Sequence, residues 1–352
     1  MSLYELGWSD YFEAQISAEN LDARARVVEE LRGMLRVAGD YTGLADVAGR
    51  LRRDAQSQGA LPAVGDWVLV SPPPGDGRGL IRRVLPRRAA LKRRAAGTVT
   101  TEQVVAANVD TVFIVSALSE DVSASRLERY ITMVRGGGAA PVIVLNKADA
   151  CPDTSGVSAQ VRARVPLVDV VAVSAFGDLT PLDAHLLPGR TAVFVGASGV
   201  GKSSIINALL GREVQAVSSV RAGDGKGRHT TTSRQLLVLE RGAIVIDTPG
   251  TRELQPWAEE GAVDHAFSDI TALAQHCRFT NCSHDGEPDC AVRGAIERGE
   301  LPAERLLHYK RLARELTFEA SKRDVRASLE RKRRWRRLSR AQKAGPRRFE
   351  DE

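Results

Sequence analysis

No apolar run in this chain of 352 residues reaches the roughly 18 consecutive residues that a membrane-crossing helix needs. Membrane insertion is therefore not expected. The opening stretch MSLYELGWSDYFE has neither the positive charge nor the apolar segment of a secretory signal, so the expected compartment is the cytoplasm. Cysteine is scarce, with four in the chain, which excludes a disulfide-dense scaffold. Three of them, Cys277, Cys282 and Cys290, fall within fourteen residues, and in a reducing compartment that clustering points to a metal site. Cys151 stands apart as an ordinary thiol. Internal repeats are also missing, which excludes a solenoid.

What is present suits a globular protein of two or three domains: 43% of residues are apolar, and the length exceeds what one core usually holds. The net charge of +6 is unevenly spread. Residues 321–348 hold thirteen Lys or Arg against Asp324 and Glu330, an excess of eleven positive charges, and the remainder of the chain is left at −5. Such a block suits a phosphate-rich partner, because each neutralised phosphate releases counterions. A solvated terminal helix would carry the same composition.

Four textures succeed one another. Residues 1–20 form a leader of no clear class. Over 21–97, short β-type runs broken by Gly and Pro (ARVVEELRGMLRV, GLADVAGRL, VGDWVLVSP, GRGLIRRVLP) predict a small β domain and suggest a small barrel, and five-stranded barrels of this size often bind oligonucleotides. Over 98–260, the runs VDTVFIVSA, APVIVLNKA, VDVVAVSA, TAVFVGA and GAIVIDTPG alternate with helix-like stretches at 123–135 and 203–210, the pattern of a doubly wound α/β domain on a parallel sheet. RQLLVLERGAIVID adds two runs joined at Arg241 and Gly242, predicting an antiparallel hairpin at one edge. From 261 to 352 a cysteine and histidine cluster precedes a stretch over 301–340 with Leu306, Leu307, Leu312 and Leu316 near helical spacing, predicting a long basic helix and tail.

The chemistry is concentrated in loops of the α/β region. GASGVGKSS, comprising Gly196, Ala197, Ser198, Gly199, Val200, Gly201, Lys202, Ser203 and Ser204, follows one apolar strand and opens a helix, which is the setting a phosphate loop requires. Its glycines let backbone N–H groups wrap phosphates at a helix N-terminus. Lys202 is placed to reach the β- and γ-phosphates and Ser203 to ligate Mg²⁺. IVIDTPG puts Asp247 at a strand end, where it can hold the Mg²⁺ shell through water, and Gly250 where its backbone N–H can meet a γ-phosphate. Between them GDGKGRHTTTSRQ reads as a loop that orders around a γ-phosphate, with Thr230 or Thr231 as a second hydroxyl ligand of Mg²⁺.

Base choice comes from Asn146, Lys147, Ala148 and Asp149. The Asp149 carboxylate can accept hydrogen bonds from guanine N1–H and its exocyclic amine, which adenine cannot supply in that geometry. Asn146 is expected to buttress the base and Lys147 to lie along its face. Downstream, Ser174 and Ala175 end another strand and bring a backbone N–H toward guanine O6. The loops run base, Ser-Ala, phosphate, switch, D-x-x-G, so the base-reading loop precedes the phosphate loop. An open parallel sheet gathers all these loops at the carboxyl edge of its strands whatever their order in the chain, so this order reads as a circular permutation. One consequence is that the chain passes from the γ-phosphate sensor at Gly250 directly toward the cysteine cluster and the basic block.

VVAANVDTVFIV, NKAD, GASGVGKSS, GKGRHTTT, IDTPG and C-x4-C-x-H-x5-C behind a β domain resemble the circularly permuted ribosome small-subunit-dependent GTPase A family (RsgA, or YjeQ) over about residues 21–320. The resemblance implies an OB barrel, a permuted GTPase domain and a C-terminal zinc domain. It implies hydrolysis of GTP to GDP and phosphate, stimulated by the small ribosomal subunit during its late maturation, with that subunit and its rRNA as partners. Where many GTPases have glutamine after D-x-x-G, this chain has Thr251. The family motif at GRHTTT makes His229 the candidate to position water or act as base; a contact to RNA is its other reading.

Cys277, Cys282, His284 and Cys290 supply three thiolates and an imidazole, enough to close a tetrahedral structural zinc site with no open position for catalysis. The ion would order a loop too poor in apolar residues to hold itself. The chain is expected to act as a monomer. Two rival readings accompany the GTPase: an RNA-binding assembly factor with nucleotide as a static ligand, and a GTPase acting on the large subunit or a transfer RNA.

Overall fold

The computed structural model describes residues 1–17, 21–31, 33–55, 58–94, 102–118, 122–211, 234–248 and 262–314. Two compact units are distinguished, Met1–Ser268 and Asp269–Glu352. Among the described residues no helix is long and apolar enough to cross a membrane.

In the first unit the short apolar runs become strands that close into a ring. These are β1 (Ala23–Leu31), β2 (Met34–Gly39), β3 (Gly43–Val47), β4 (Trp67–Ser71) and β5 (Gly79–Val84). Their order is β1-β2-β3-β5-β4, and β4 returns to β1, so no edge is left and the barrel is closed. Its inward face is filled by Ala25, Val27, Val37, Val68, Val70 and Ile81, all buried. The leader carries a single-turn helix, α1 (Asp10–Glu13), and α2 (Gly49–Asp54) leaves β3 with Arg50, Arg52 and Arg53 exposed.

A separate hairpin of β6 (Ala90–Arg94) and β7 (Glu102–Ala107) spans the point where the sequence texture changes. Beyond it, near-continuous apolar runs form β8 (Thr111–Ala117), β9 (Ala140–Asn146), β10 (Asp169–Ala172), β11 (Thr191–Gly196) and β13 (Ile244–Asp247), with β12 (Gln235–Val238) before the last. The parallel order is β10-β9-β8-β11-β13, as expected of strands buried on both faces. Crossovers are made by α3 (Ala124–Gly136), which starts where the Ser123 hydroxyl accepts the N–H of Arg126, and α4 (Thr154–Arg164), capped by Asp153 accepting from Gly156 N–H at 2.8 Å. Phe113 and Phe194 stack at 4.8 Å between ring centroids in the core between β8 and β11.

The predicted hairpin at Arg241 and Gly242 is present, with β12 antiparallel to β13 and Gly242 N–H donating to Leu239 O at 2.8 Å. It does not end in a bare edge. Glu29 of β1 pairs with Gln235 of β12, so the barrel continues the parallel sheet into one eleven-stranded surface.

The leader is built into this junction. Leu6, Trp8 and Phe12 are buried, with Trp8 edge-on to Trp67 at 4.7 Å. Beside them the fully buried Arg26 guanidinium donates to Leu6 O, to Gly65 O at 3.1 Å, to Asn108 O at 3.4 Å and to the Thr191 hydroxyl at 2.9 Å. Burial pushes Arg26 down to about 10, while Asp110 and Asp66 oppose that shift, so it stays charged at neutral pH. One side chain thus ties leader, barrel and the first residue of β11, the strand leading to the phosphate loop. Arg26→Met should strand these acceptors and lower unfolding free energy by about 3 kcal/mol. Denaturant titration checks this through a lower midpoint at unchanged slope; an unchanged midpoint would contradict the clamp.

The second unit contains most of α7 (Ser268–Ala274), which follows α6 (Ala262–Ala266), then α8 (Ala291–Glu297) and a further helix over 303–314. The predicted basic helix is therefore helical up to 314. Its charged block at 321–348 lies outside the described residues.

Candidate functional site

Register alone brings the base loop and the phosphate loop to the same sheet edge. Asn146 ends β9 opposite Ala117 of β8, and Gly196 ends β11 opposite Val115 of β8. The loops close over the end of β8 through one buried side chain. Asn146 Nδ2 donates to Val200 O at 2.8 Å, and its Oδ1 accepts the N–H of Ala175 at 3.0 Å. A single amide therefore fixes the base loop, the phosphate loop and the Ser-Ala turn relative to one another. The Ala175 N–H, expected from the sequence to face guanine O6, is thereby engaged by Asn146.

Lys147 follows in the left-handed region (φ 69°), which turns the chain out of β9 and leaves the side chain exposed. Asp149 sits in the next tight turn and is also exposed. Its Oδ1 accepts from the Ser174 hydroxyl at 2.6 Å, while Ala148 N–H donates to Val173 O at 3.1 Å. Every member of the sequence-derived guanine set is thus held in one connected group.

The phosphate loop owes its shape to glycine. Gly196 has φ 144°, and a Cβ there would lie 2.2 Å from Val115 O; Gly201 has φ 94°, and a Cβ there would lie 2.2 Å from Asn146 Nδ2. Gly201 then starts α5 (Lys202–Leu210), whose first-turn N–H groups have no intrahelical acceptors. Lys202 Nζ donates to Gly196 O at 2.9 Å and Ala197 O at 2.7 Å, curling the loop around its own ammonium. Ser203 and Ser204 are half-buried in the first turn, Ser198 and Gly199 are exposed at the loop tip, and Asp247 is buried at the end of β13. Positive charge, a helix N-terminus and a carboxylate thus share one edge, the arrangement a magnesium-bound triphosphate needs.

The cysteine cluster is equally compact. The ligand atoms of Cys277, Cys282, His284 and Cys290 all lie within 4.8 Å of one another. Cys277 Sγ is 3.7 Å from His284 Nδ1 and 3.9 Å from Cys290 Sγ, and Cys290 Sγ is 3.4 Å from that nitrogen. Bond lengths of about 2.3 Å to sulfur imply tetrahedral edges of about 3.8 Å, so the donor set fits zinc. Burial opposes ionisation of Cys277, but hydrogen bonds from the N–H groups of Val292 and Ala291 at the start of α8, with those from the Cys290 and Cys282 thiols, together hold it below its ordinary value. Burial, then the Lys310 ammonium, lower His284 and favour the neutral imidazole that a metal ligand must be. His284 and Asp289 occupy the left-handed region at φ 59° and 57°, a strain that metal bonds would offset.

With this geometry in place, the likeness to known proteins is specific. The family model described as RsgA GTPase matches residues 84–257. The chain is 43% identical to the "Small ribosomal subunit biogenesis GTPase RsgA" of Opitutus terrae over 361 aligned positions, covering 98% of each. The chain belongs to the RsgA GTPase family. The crystal structure of YjeQ from Thermotoga maritima aligns with 84% of this chain and 99% of its own at TM-score 0.64 and 29% identity. YloQ, described as a circularly permuted GTPase, shares the fold at TM-score 0.60 and 24% identity over 86% of this chain and 98% of its own.

For this RsgA family member, His229, Thr230, Thr231 and Gly250 lie outside the described residues. Sequence reading missed what braces the Cys3His loop. Glu287 accepts from Ser283 N–H at 2.8 Å, Asp285 N–H at 2.9 Å and Gly286 N–H at 3.1 Å, and these bonds, with the Ser283 hydroxyl first among them, hold it well below the usual carboxylate range. Lys310 pairs with Asp285, and Arg305 with Asp269 at 2.9 Å, so the 303–314 helix is strapped to this loop and to α7. Acidic residues interleaved with the ligands were the only local signal.

Proposed function

We propose that this RsgA family member binds GTP with Mg²⁺, docks on the small ribosomal subunit and its rRNA late in that subunit's maturation, and hydrolyses GTP to GDP and phosphate in response. The observation that carries the reading is Asn146, which bonds to the phosphate loop and to the Ser-Ala turn at once, making the permuted loops a single nucleotide site. Asn146, Lys147, Ala148, Asp149 and Ser174 form the guanine site, with Ala175 anchoring it through its N–H to Asn146. Gly196 to Ser204 and Gly250 hold the phosphates. Ser203, Asp247 and either Thr230 or Thr231 hold Mg²⁺, which neutralises charge on the phosphate oxygens when bound. His229 positions water or acts as base. One structural Zn²⁺ is held by Cys277, Cys282, His284 and Cys290.

Four functional segments follow: a leader (1–20), an OB-like barrel (21–97), a permuted GTPase domain (98–260) and a zinc domain with basic tail (261–352). The protein works as a cytoplasmic monomer without a membrane partner. The basic block supplies phosphate contacts to rRNA, and the chain downstream of Gly250 gives the γ-phosphate a short covalent route to the C-terminal module that carries it. Multiple-turnover GTPase assays with and without purified small subunits test the proposal. At least a tenfold rise in turnover is expected, and no rise would favour nucleotide as a static ligand.

A further inference from the structure

A purine has two faces, and in the guanine reading the stem of Lys147 lies along one of them. Exposed large apolar side chains at the sheet edges are distributed unevenly. Leu167 and Leu187 sit on loops that enter β10 and β11, at the amino edge, whereas Phe176 follows β10 at the carboxyl edge, where the nucleotide loops gather. Phe176 is 88% exposed. A lone exposed apolar residue needs no explanation in itself, but the backbone of this one is tied to the base-reading carboxylate. The Ser174 hydroxyl that donates to Asp149 at 2.6 Å also accepts the N–H of Phe176 at 3.3 Å, and Gly177 N–H donates to Ser174 O at 3.0 Å, closing the turn that presents the ring.

We propose that Phe176 is a further binding residue of the nucleotide site that sets affinity, its ring lying against the purine face opposite the Lys147 stem. The inference rests on the guanine reading of Asn146 to Asp149. Aromatic stacking suits this position because a phenyl ring has only two torsions to restrain and offers a flat apolar surface to a flat base. Asp149 selects guanine by its edge, and Phe176 adds affinity through the face, so its loss weakens binding while leaving the preference for guanine intact.

Calorimetric titration of full-length Phe176→Ala, Phe176→Trp and wild-type protein with GDP tests this. Stacking of one base on one aromatic ring implies about a tenfold rise in Kd for Phe176→Ala, with Phe176→Trp within about twofold of wild type. Thermal midpoints should match, since the ring is exposed. A Kd for Phe176→Ala within twofold of wild type would overturn the proposal while the guanine reading stands. If that unchanged Kd is accompanied by loss of co-sedimentation with small subunits at saturating nucleotide, the ring belongs to an RNA contact instead. Failure of the wild-type protein to bind GDP would instead remove the guanine reading on which the proposal rests.

Discussion

Asp149→Asn is expected to weaken GTP binding by about a hundredfold or more and to raise the relative affinity for xanthosine triphosphate. Two hydrogen bonds to a charged acceptor, each worth about 1.5–3 kcal/mol, are what the carboxylate would make to guanine N1–H and the 2-amino group in the proposed site. An amide offers one acceptor where two are needed, and its NH₂ would face another donor. The Ser174 hydroxyl accepts from Phe176 N–H and directs its own proton at position 149, so the amide oxygen is drawn toward Ser174 and the NH₂ toward the base. Xanthine carries a carbonyl in place of the 2-amino group and accepts from that NH₂. The substitution leaves the buried Asn146 bonds untouched, so the fold should persist. Competition titrations with GTP, ATP and xanthosine triphosphate decide the matter, and equal affinity for GTP and ATP in both proteins would sink the guanine assignment.

Loss of the Cys3His centre should have an even larger effect, confined to stability. Structural zinc in small modules contributes about 10–16 kcal/mol of apparent binding energy, which is folding energy for a loop that lacks a core of its own. Between Cys277 and Cys290 the loop contains Phe279 as its one large apolar side chain, and that ring is 41% exposed beneath Arg278. Cys290→Ser removes a buried ligand at the start of α8 and, through the displaced loop, the anchor that Asp285 gives Lys310. Limited proteolysis after chelation or in this variant should cut within 277–290, while elemental analysis of the intact protein returns one zinc per chain. GTP affinity should change by no more than a few-fold, because every described residue proposed to bind nucleotide belongs to 1–268. A Cys290→Ser protein that keeps its zinc and its protease resistance would contradict the assignment.

Local chemistry was legible where it needs no distant partner. The phosphate loop and the parallel strands declare themselves over a few residues, because glycine freedom and burial on both faces are local properties. Contacts made over long sequence separations were not legible. The bond from Gln235 to Glu29 joins residues 206 apart, so the hairpin read as an open edge although β1 continues it. Nothing near Arg26 in the chain signals that Leu6, Gly65, Asn108 and Thr191 converge on it. The leader read as featureless because Leu6, Trp8 and Phe12 follow neither a helical nor a strand period; its packing comes from turns and a single helical turn against Trp67. Within the site, residue types identified Asn146 as a base-loop member, but its bond to Val200 could only appear once β9 and β11 were placed on either side of β8.

If GTP favours docking on the small subunit and hydrolysis favours departure, co-sedimentation of the full-length chain with separated ribosomal subunits should depend on the bound nucleotide. With a non-hydrolysable GTP analogue the protein should pellet with small subunits and not with large ones, and GDP should release most of it. Equal pelleting with the analogue and GDP, or preferential association with large subunits, would contradict the account.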